Sequence, residues 1–239
     1  TLSFRPLQRF KNQITINAGS VGEQLQTIFV GDFENAYGNF QNAPTMELVI
    51  KAISAQHGAL KATPATAVNG TERVEFLMEQ WAKEADCILE NNGVNASVQN
   101  SVYVGSPIDK AKALAREVGI ELIIDDGKFV IMPKGKAVEG NAVLVDKAHG
   151  LLGYPAFNND GIEFKIIFNP NIRIGGLVKI DSIVPRASGI WKVTKIDTTL
   201  EAYKPDGGNW TSVISATWIQ EESNDAGEGQ QTGSGTGDS

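Results

Sequence analysis

The sequence has few of the residue types from which reactive sites are built. Its 239 residues include one cysteine, Cys87, and two histidines, His57 and His149. A single cysteine excludes an intramolecular disulfide and any multi-cysteine zinc or iron–sulfur site. Neither histidine lies in a motif: His57 is predicted to end a strand or turn, and His149 to lie in a loop before Gly150. We expect no catalytic residue, no metal site and no cofactor.

Long apolar runs and an excess of basic charge are also missing. No apolar segment approaches the roughly 20 residues that span a membrane, so we expect no membrane partner. The net charge is −7, but without residues 221–239 the chain has 21 basic and 23 acidic side chains. A nearly neutral body lacks the positive field that holds a phosphate backbone, so nucleic acid is not expected as a bound ligand.

The first 58 residues are predicted to form antiparallel strands. The β-rich stretches cover residues 13–17, 25–30 and 46–53, with breaks rich in Gly and Asn between them. The chain begins at Thr1 without a methionine, and strand-like sequence follows almost at once. We expect residues 1–58 to be a β domain that lacks its N-terminal strands.

The middle of the chain changes to helical periodicity. Apolar residues recur at three- and four-residue steps from Val74 to Ile88, which predicts an amphipathic helix. Thr71 is placed as its N-cap and Gly93 as its stop signal. Cys87 is expected at the edge of the apolar face, as a small buried hydrophobe.

A second helix and a hairpin are predicted directly afterwards. Ser106, followed by Pro107 and by Asp109 three residues on, is a capping-box start signal, and Gly119 marks the end of the helix. Asp125-Asp126-Gly127 then separates two short β-rich runs, which is typical of a tight hairpin. The two helices and this hairpin predict a small α+β domain over residues 59–138.

From about residue 142 the helical periodicity disappears. Five β-rich runs follow between turn residues, over 142–145, 162–168, 177–183, 190–196 and 212–218. Short strands at this spacing favour a small barrel or sandwich, so residues 139–220 are predicted to be a second β domain. Residues 221–239 are acidic and rich in Gly and Ser, which predicts a flexible tail.

Two groups of side chains suggest chemical hypotheses. Asp32 and Glu34 would be the acid and base of a cell-wall hydrolase, although a strand end or turn explains them more simply. Trp191, Tyr203 and Trp210 would form an exposed platform for sugars or bases. In a small β domain, however, such aromatics are more often core or interface residues.

A succession of short motifs runs through the second half of the chain. The motifs are Gly150-Leu151-Leu152-Gly153-Tyr154-Pro155-Ala156-Phe157, Phe168-Asn169-Pro170-Asn171-Ile172-Arg173, Ile183-Val184-Pro185-Arg186 and Lys204-Pro205-Asp206-Gly207-Gly208-Asn209-Trp210. In this order they resemble the baseplate hub proteins of contractile bacteriophage tails. The stretch from Leu2 to Ser54 and the two-helix unit are similar to the preceding parts of that family.

The resemblance implies a mainly β subunit with two tail-tube-like antiparallel β barrels or sandwiches, separated by the small two-helix α+β unit. It implies a structural role without catalysis, in which three chains form a pseudo-six-fold ring between the tail tube and the central spike, and the genome passes through the lumen.

The resemblance also implies the partners and the location. The expected partners are further copies of the chain in a homotrimer, tail tube or tube-initiator ring proteins, the spike protein and other baseplate proteins, with DNA only as cargo. The expected location is the tail baseplate of the virion, after assembly in the host cytoplasm. The alternative is a sugar- or cell-wall-binding module of a tail or surface assembly.

Overall fold

The computed structural model describes residues 12–19, 24–41, 44, 46–204 and 207–219. The predicted flexible tail, the expectation about missing N-terminal strands and the Pro205-Asp206 part of a predicted turn lie outside the described residues. Within them, the fold is mainly β, with an α+β unit between two β parts, as predicted.

The elements follow one another along the chain with short connections. They are β1 (Gln13–Ala18), β2 (Gln26–Asn39), β3 (Glu47–Ile53), α1 (Gln56–Leu60), β4 (Thr66–Ala67), β5 (Thr71–Arg73), α2 (Val74–Glu84), β6 (Ile88–Asn91), β7 (Ser97–Gln99), β8 (Val102–Tyr103), α3 (Pro107–Val118), β9 (Ile120–Asp125), β10 (Lys128–Pro133), β11 (Val143–Val145), β12 (Leu151–Asn158), β13 (Gly161–Ile167), β14 (Leu177–Ile180), β15 (Gly189–Leu200) and β16 (Trp210–Trp218).

The first sheet consists of β1, β2 and β3, paired antiparallel with β2 in the centre. The three predicted strands are confirmed, but β2 continues to Asn39 instead of ending near Val30. Gly31 lies inside the strand, where a Cβ would clash with the ring of Phe29. Glycine is therefore used here for close side-chain packing and does not end the strand.

The boundaries predicted for the first long helix were wrong. Thr71 lies in β5, which pairs with β7, and α2 begins at Val74 and ends at Glu84. The helix stops well before Gly93 because Asp86 has a left-handed backbone conformation, with φ 56°. Gly58 of α1 packs against this end so closely that a Cβ there would lie 2.5 Å from the Cβ of Ala85.

The second helix and the hairpin form as predicted. The Asp109 N–H donates to Ser106 Oγ over 3.1 Å, and the Ser106 N–H donates to Asp109 Oδ2 over 3.2 Å, which completes the capping box. The Ser106 hydroxyl also donates to Asp109 Oδ2 over 2.7 Å, and this hydrogen bond, followed by the one from the Ser106 N–H, lowers the pKa of Asp109. At the hairpin turn, Asp126 and Gly127 both have positive φ, as a two-residue turn of this kind requires.

The α+β unit has its own core. Helices α2 and α3 pack beside a central sheet with the order β6-β10-β9, in which β6 runs parallel to β10. Cys87 is buried in this core as predicted, but it follows the end of α2 and is not on its apolar face. Burial, followed by the charges of Asp86 and Asp32, raises the pKa of its thiol to about 11.

The second sheet has six strands in the order β11-β14-β15-β16-β13-β12 and curls into a half-barrel. The five predicted strands are present, and β12 is an additional one that the sequence did not reveal. It contains Gly153 and Pro155, which are unfavourable in a strand interior, but Pro is tolerated because β12 is an edge strand. Alternate residues of β13, namely Ile162, Phe164 and Ile166, are buried in the core of this sheet.

Candidate functional site

A groove of about 570 Å³ separates the first sheet from the second sheet. One wall carries Ile16 and Phe29 from β1 and β2. The opposite wall is formed by strands β13, β15 and β16, and its apolar residues are Ile166, Ile196, Leu200 and Ile214. The groove is therefore built from strands that are far apart in the sequence.

The chemistry of the groove suits apolar side chains. Thr198 and Ser212 also line it, but their hydroxyl oxygens lie 2.9 Å apart and hydrogen-bond to each other. The charged side chains among the described lining residues are Asp125 at the end of β9, Asp126 in the hairpin turn and Arg173 in a loop. An apolar group that enters between the strands would leave none of these hydroxyls without a partner.

The hairpin turn of the α+β unit holds the first sheet in place. The Val30 N–H donates to Asp126 Oδ1 over 3.2 Å, and Ser54 Oγ donates to the Val30 carbonyl over 3.0 Å. Burial, together with the neighbouring charge of Asp125, raises the pKa of Asp126. One hydrogen bond to the turn therefore links the α+β unit to the strand that carries one wall of the groove.

Ion pairs join the α+β unit to the second sheet. Lys192 Nζ on β15 lies 2.5 Å from Glu121 Oε2 on β9, and the lysine side chain is only 6% exposed. Glu90 contacts Lys128 at 3.1 Å and Arg173 at 3.3 Å. Burial alone would raise the pKa of Glu90, but the hydrogen bond from Lys128 and the charge of Arg173 outweigh it and lower the value.

The proposed carboxylate pair lies away from the groove. Asp32 and Glu34 are both on β2, and Glu34 occupies the irregularity in pairing between Phe33 and Asn35. Neither residue is among the described residues that line the groove. The hydrolase hypothesis therefore gains no support from this cleft.

The two histidines lie in a turn and in a short helix. His149 Nδ1 lies 2.7 Å from Asp146 Oδ1, and the His149 N–H donates to the same oxygen, so the pair closes the turn before β12. His57 lies in α1 and not at the end of a strand. In the part of the chain that the structure describes, no three His, Cys, Asp or Glu side chains are grouped to hold a metal ion.

The alternative hypothesis of an aromatic platform of Trp191, Tyr203 and Trp210 is not supported. Trp191 is buried, and its Nε1 donates to the Ala187 carbonyl over 2.9 Å. Trp210 is half-buried and donates to the Glu201 carbonyl over 2.7 Å, whereas Tyr203 is fully exposed. A flat sugar-binding surface needs its rings exposed together. The hypothesis that Trp191 belongs to such a surface was therefore wrong.

Comparison with known families identifies the family of this chain. The profile of the family described as Baseplate hub gp41 matches residues 6–204. The chain belongs to this family. It is a structural protein of the phage tail baseplate, where its contacts are with other baseplate or tail proteins. The resemblance noted in the sequence is thus confirmed.

Two solved structures have a similar fold. The tail protein from Neisseria meningitidis MC58 has 10% identity and a TM-score of 0.58, over 80% of this chain and 81% of that chain. The 43 kDa tail protein of prophage MuSo2 from Shewanella oneidensis has 12% identity and a TM-score of 0.56, over 81% and 78%. At such identities the likeness shows a shared fold. A search of curated proteins finds no match.

The sequence did not reveal the groove or the ion pair that joins the units. Glu121 and Lys192 are 71 residues apart, and each lies in a run of β-rich sequence where a charged residue normally faces water.

None of the described helices has the length and apolar character needed to cross a lipid bilayer.

Proposed function

We propose that this hub protein forms a homotrimeric, pseudo-six-fold ring that joins the tail tube to the central spike and passes the genome during injection. The family match over residues 6–204 carries this proposal. Residues 1–58 and 139–220 would be the two tube-like domains, and residues 59–138 the domain between them. Three chains with two such domains each would then supply the six positions of the ring.

The open edges of the described sheets support this assembly. Strands β1 and β3 end the first sheet, and β11 and β12 end the second sheet. Unpaired edges promote uncontrolled association in a monomer, whereas a closed ring uses them as contacts between subunits. A body of nearly balanced charge also lets DNA slide through a lumen without strong binding.

The proposed partners are further copies of the chain, tube or tube-initiator ring proteins, the spike protein and other baseplate proteins. DNA would be cargo only. The proposed role needs no reaction, so neither a catalytic residue nor a cofactor is assigned. Assembly would occur in the host cytoplasm, before the ring becomes part of the virion.

Light scattering on the purified chain, together with two-dimensional averages of intact particles, tests the proposal. We expect a species of three times the chain mass and a ring with six similar lobes at the end of the tail tube. A stable monomer that is never found in tails would contradict it. Copurification with tube and spike proteins would identify the two faces of the ring.

A further inference from the structure

Strands β2 and β3 extend beyond the rest of the first sheet as a two-stranded ribbon. The pairing of β1 with β2 ends at Gln13 and Asp32, while β2 continues to pair with β3 as far as Asn39 and Glu47. A two-stranded ribbon by itself is at best marginally stable in water. This ribbon therefore requires packing against another surface.

One face of the ribbon is apolar and exposed. Ile50 pairs with Ala36 and Leu48 pairs with Gly38, so these side chains share a face. Phe40 and Met46 lie on the same face, because a Cβ on Gly38 would be 3.0 Å from the Phe40 ring and 3.8 Å from Met46 Sδ. We call Phe40, Met46, Leu48 and Ile50 the ribbon face.

The ribbon face is large enough to be an interface. Its four side chains are between 50% and 66% exposed. Together they present on the order of 400 Å² of apolar surface, a size at which the largest exposed patch of a protein is often functional. The opposite face is mixed: Tyr37 and Val49 lie there among Asn35, Asn39, Glu47 and Lys51, and Lys51 Nζ is 5.9 Å from the centre of the Tyr37 ring. The difference between the two faces indicates that the ribbon docks through its apolar face.

The ribbon face cannot reach the groove of its own chain. Phe29 lines the groove, and Ile50, the ribbon-face residue nearest to it, pairs with Ala36, seven residues further along β2. At about 3.3 Å per residue, the two positions are roughly 23 Å apart. Any contact between the ribbon face and a groove of this kind must therefore involve another molecule.

We propose that the ribbon face of one chain docks into the groove of a second copy. This inference rests on the proposed ring. An apolar projection and an apolar recess at different places on one chain make a head-to-tail contact, and such contacts close into rings when the rotation fits. The groove exposes Ile196 and Leu200 on one wall. The hydroxyls of Thr198 and Ser212 on the same wall already hydrogen-bond to each other.

Disulfide trapping between two full-length variants tests the contact. Leu48→Cys places a thiol on the ribbon face, and Leu200→Cys places one in the groove. We expect a disulfide-linked dimer when the two variants are mixed and oxidised, and none with either variant alone. Native Cys87 is buried with a pKa of about 11, so it has little thiolate with which to compete.

A matched pair of substitutions tests the energetic importance of the ribbon face. Ile50→Glu should weaken self-association by about tenfold or more, because it places a charge in an apolar contact. Ile183→Glu is the control, since Ile183 is 78% exposed and lies outside both surfaces. It should leave the association unchanged. Circular dichroism on both variants verifies that they fold.

Trapping in the mixture together with weakening by Ile50→Glu supports the inference. Trapping of Leu48→Cys with itself overturns it, because the ribbon would then pair with a second ribbon. A trimer that forms without mixed trapping, and that Ile50→Glu does not weaken, overturns the inference and leaves the proposed ring intact. A wild-type chain that stays monomeric at its highest soluble concentration overturns both.

Discussion

The two β parts of the molecule use similar residues for different purposes. In the second sheet, Ile162, Phe164 and Ile166 alternate with exposed residues and are almost completely buried. In the first sheet, Leu48 and Ile50 also share one face of their strand but remain half exposed. The second sheet thus stabilises the folded chain, while the first sheet presents apolar surface to its surroundings.

The strongest test of this contrast compares one core position with one ribbon position. Phe164→Ala should lower the free energy of unfolding by about 3–5 kcal/mol, because it removes a buried ring and leaves a cavity. Ile50→Ala in the monomeric chain should change it by about 0.5 kcal/mol or less. Urea unfolding measures both values. Similar losses of unfolding free energy in the two variants would contradict this difference between the two sheets.

The buried ion pair tests how firmly the second sheet is joined to the α+β unit. Glu121→Ala leaves the Lys192 ammonium buried without its partner and should cost about 2 kcal/mol, since Glu121 itself is partly exposed. Glu79→Ala removes a pair with Lys83 on the exposed face of α2 and should cost about 0.5 kcal/mol or less. Equal costs would show that burial of Lys192 is unimportant.

The cap of helix α3, in the α+β unit, should have an intermediate effect on stability. Ser106→Ala removes the side-chain acceptor at the start of α3 and should cost about 1 kcal/mol in thermal unfolding. Thr71→Ala is the control, because Thr71 lies in β5 and does not cap α2. A larger loss at Thr71 than at Ser106 would contradict the structure.

The same cap predicts a smaller, pH-dependent effect. The pKa of Asp109 is lower in the folded chain than its ordinary value of about 3.9. Its ionised form therefore contributes stability above that value, and the contribution is lost as the pH falls through the folded pKa. The stability difference between wild type and Asp109→Asn should narrow below about pH 4. If the stability difference between the two proteins does not change with pH, the charge of Asp109 does not contribute to the helix cap.

The smallest expected effect concerns the attachment of the first sheet. Asp126→Gly removes the acceptor of the Val30 N–H without straining the left-handed turn position, and should cost about 0.5 kcal/mol, because the contact is at the surface and partial burial of the carboxylate offsets some of its benefit. Hydrogen exchange should accelerate in β1 to β3 and remain unchanged in β13 to β16. Faster exchange in both sheets would mean that the two β parts do not open separately.

Local signals explain which elements could be predicted. The start of α3 and the turn at Asp125-Asp126-Gly127 depend on side chains within a few residues, and both form as expected. The end of α2 lies where Asp86 adopts a left-handed backbone conformation, and Gly58 of the distant helix α1 packs against Ala85 at this point. Strand β12 was missed because Pro155 is acceptable only at a sheet edge, and strand order is a property of the whole sheet.

The sequence by itself determined that the chain is mainly β with a helical middle, that it has few reactive residues, and that it resembles the baseplate hub family. Only the tertiary structure decided that Trp191 and Lys192 are buried, that a groove lies between the two β parts, and that the ribbon face is exposed. The physical reason is that alternation specifies which side chains share a face of a strand, whereas contacts between distant segments determine whether that face is covered.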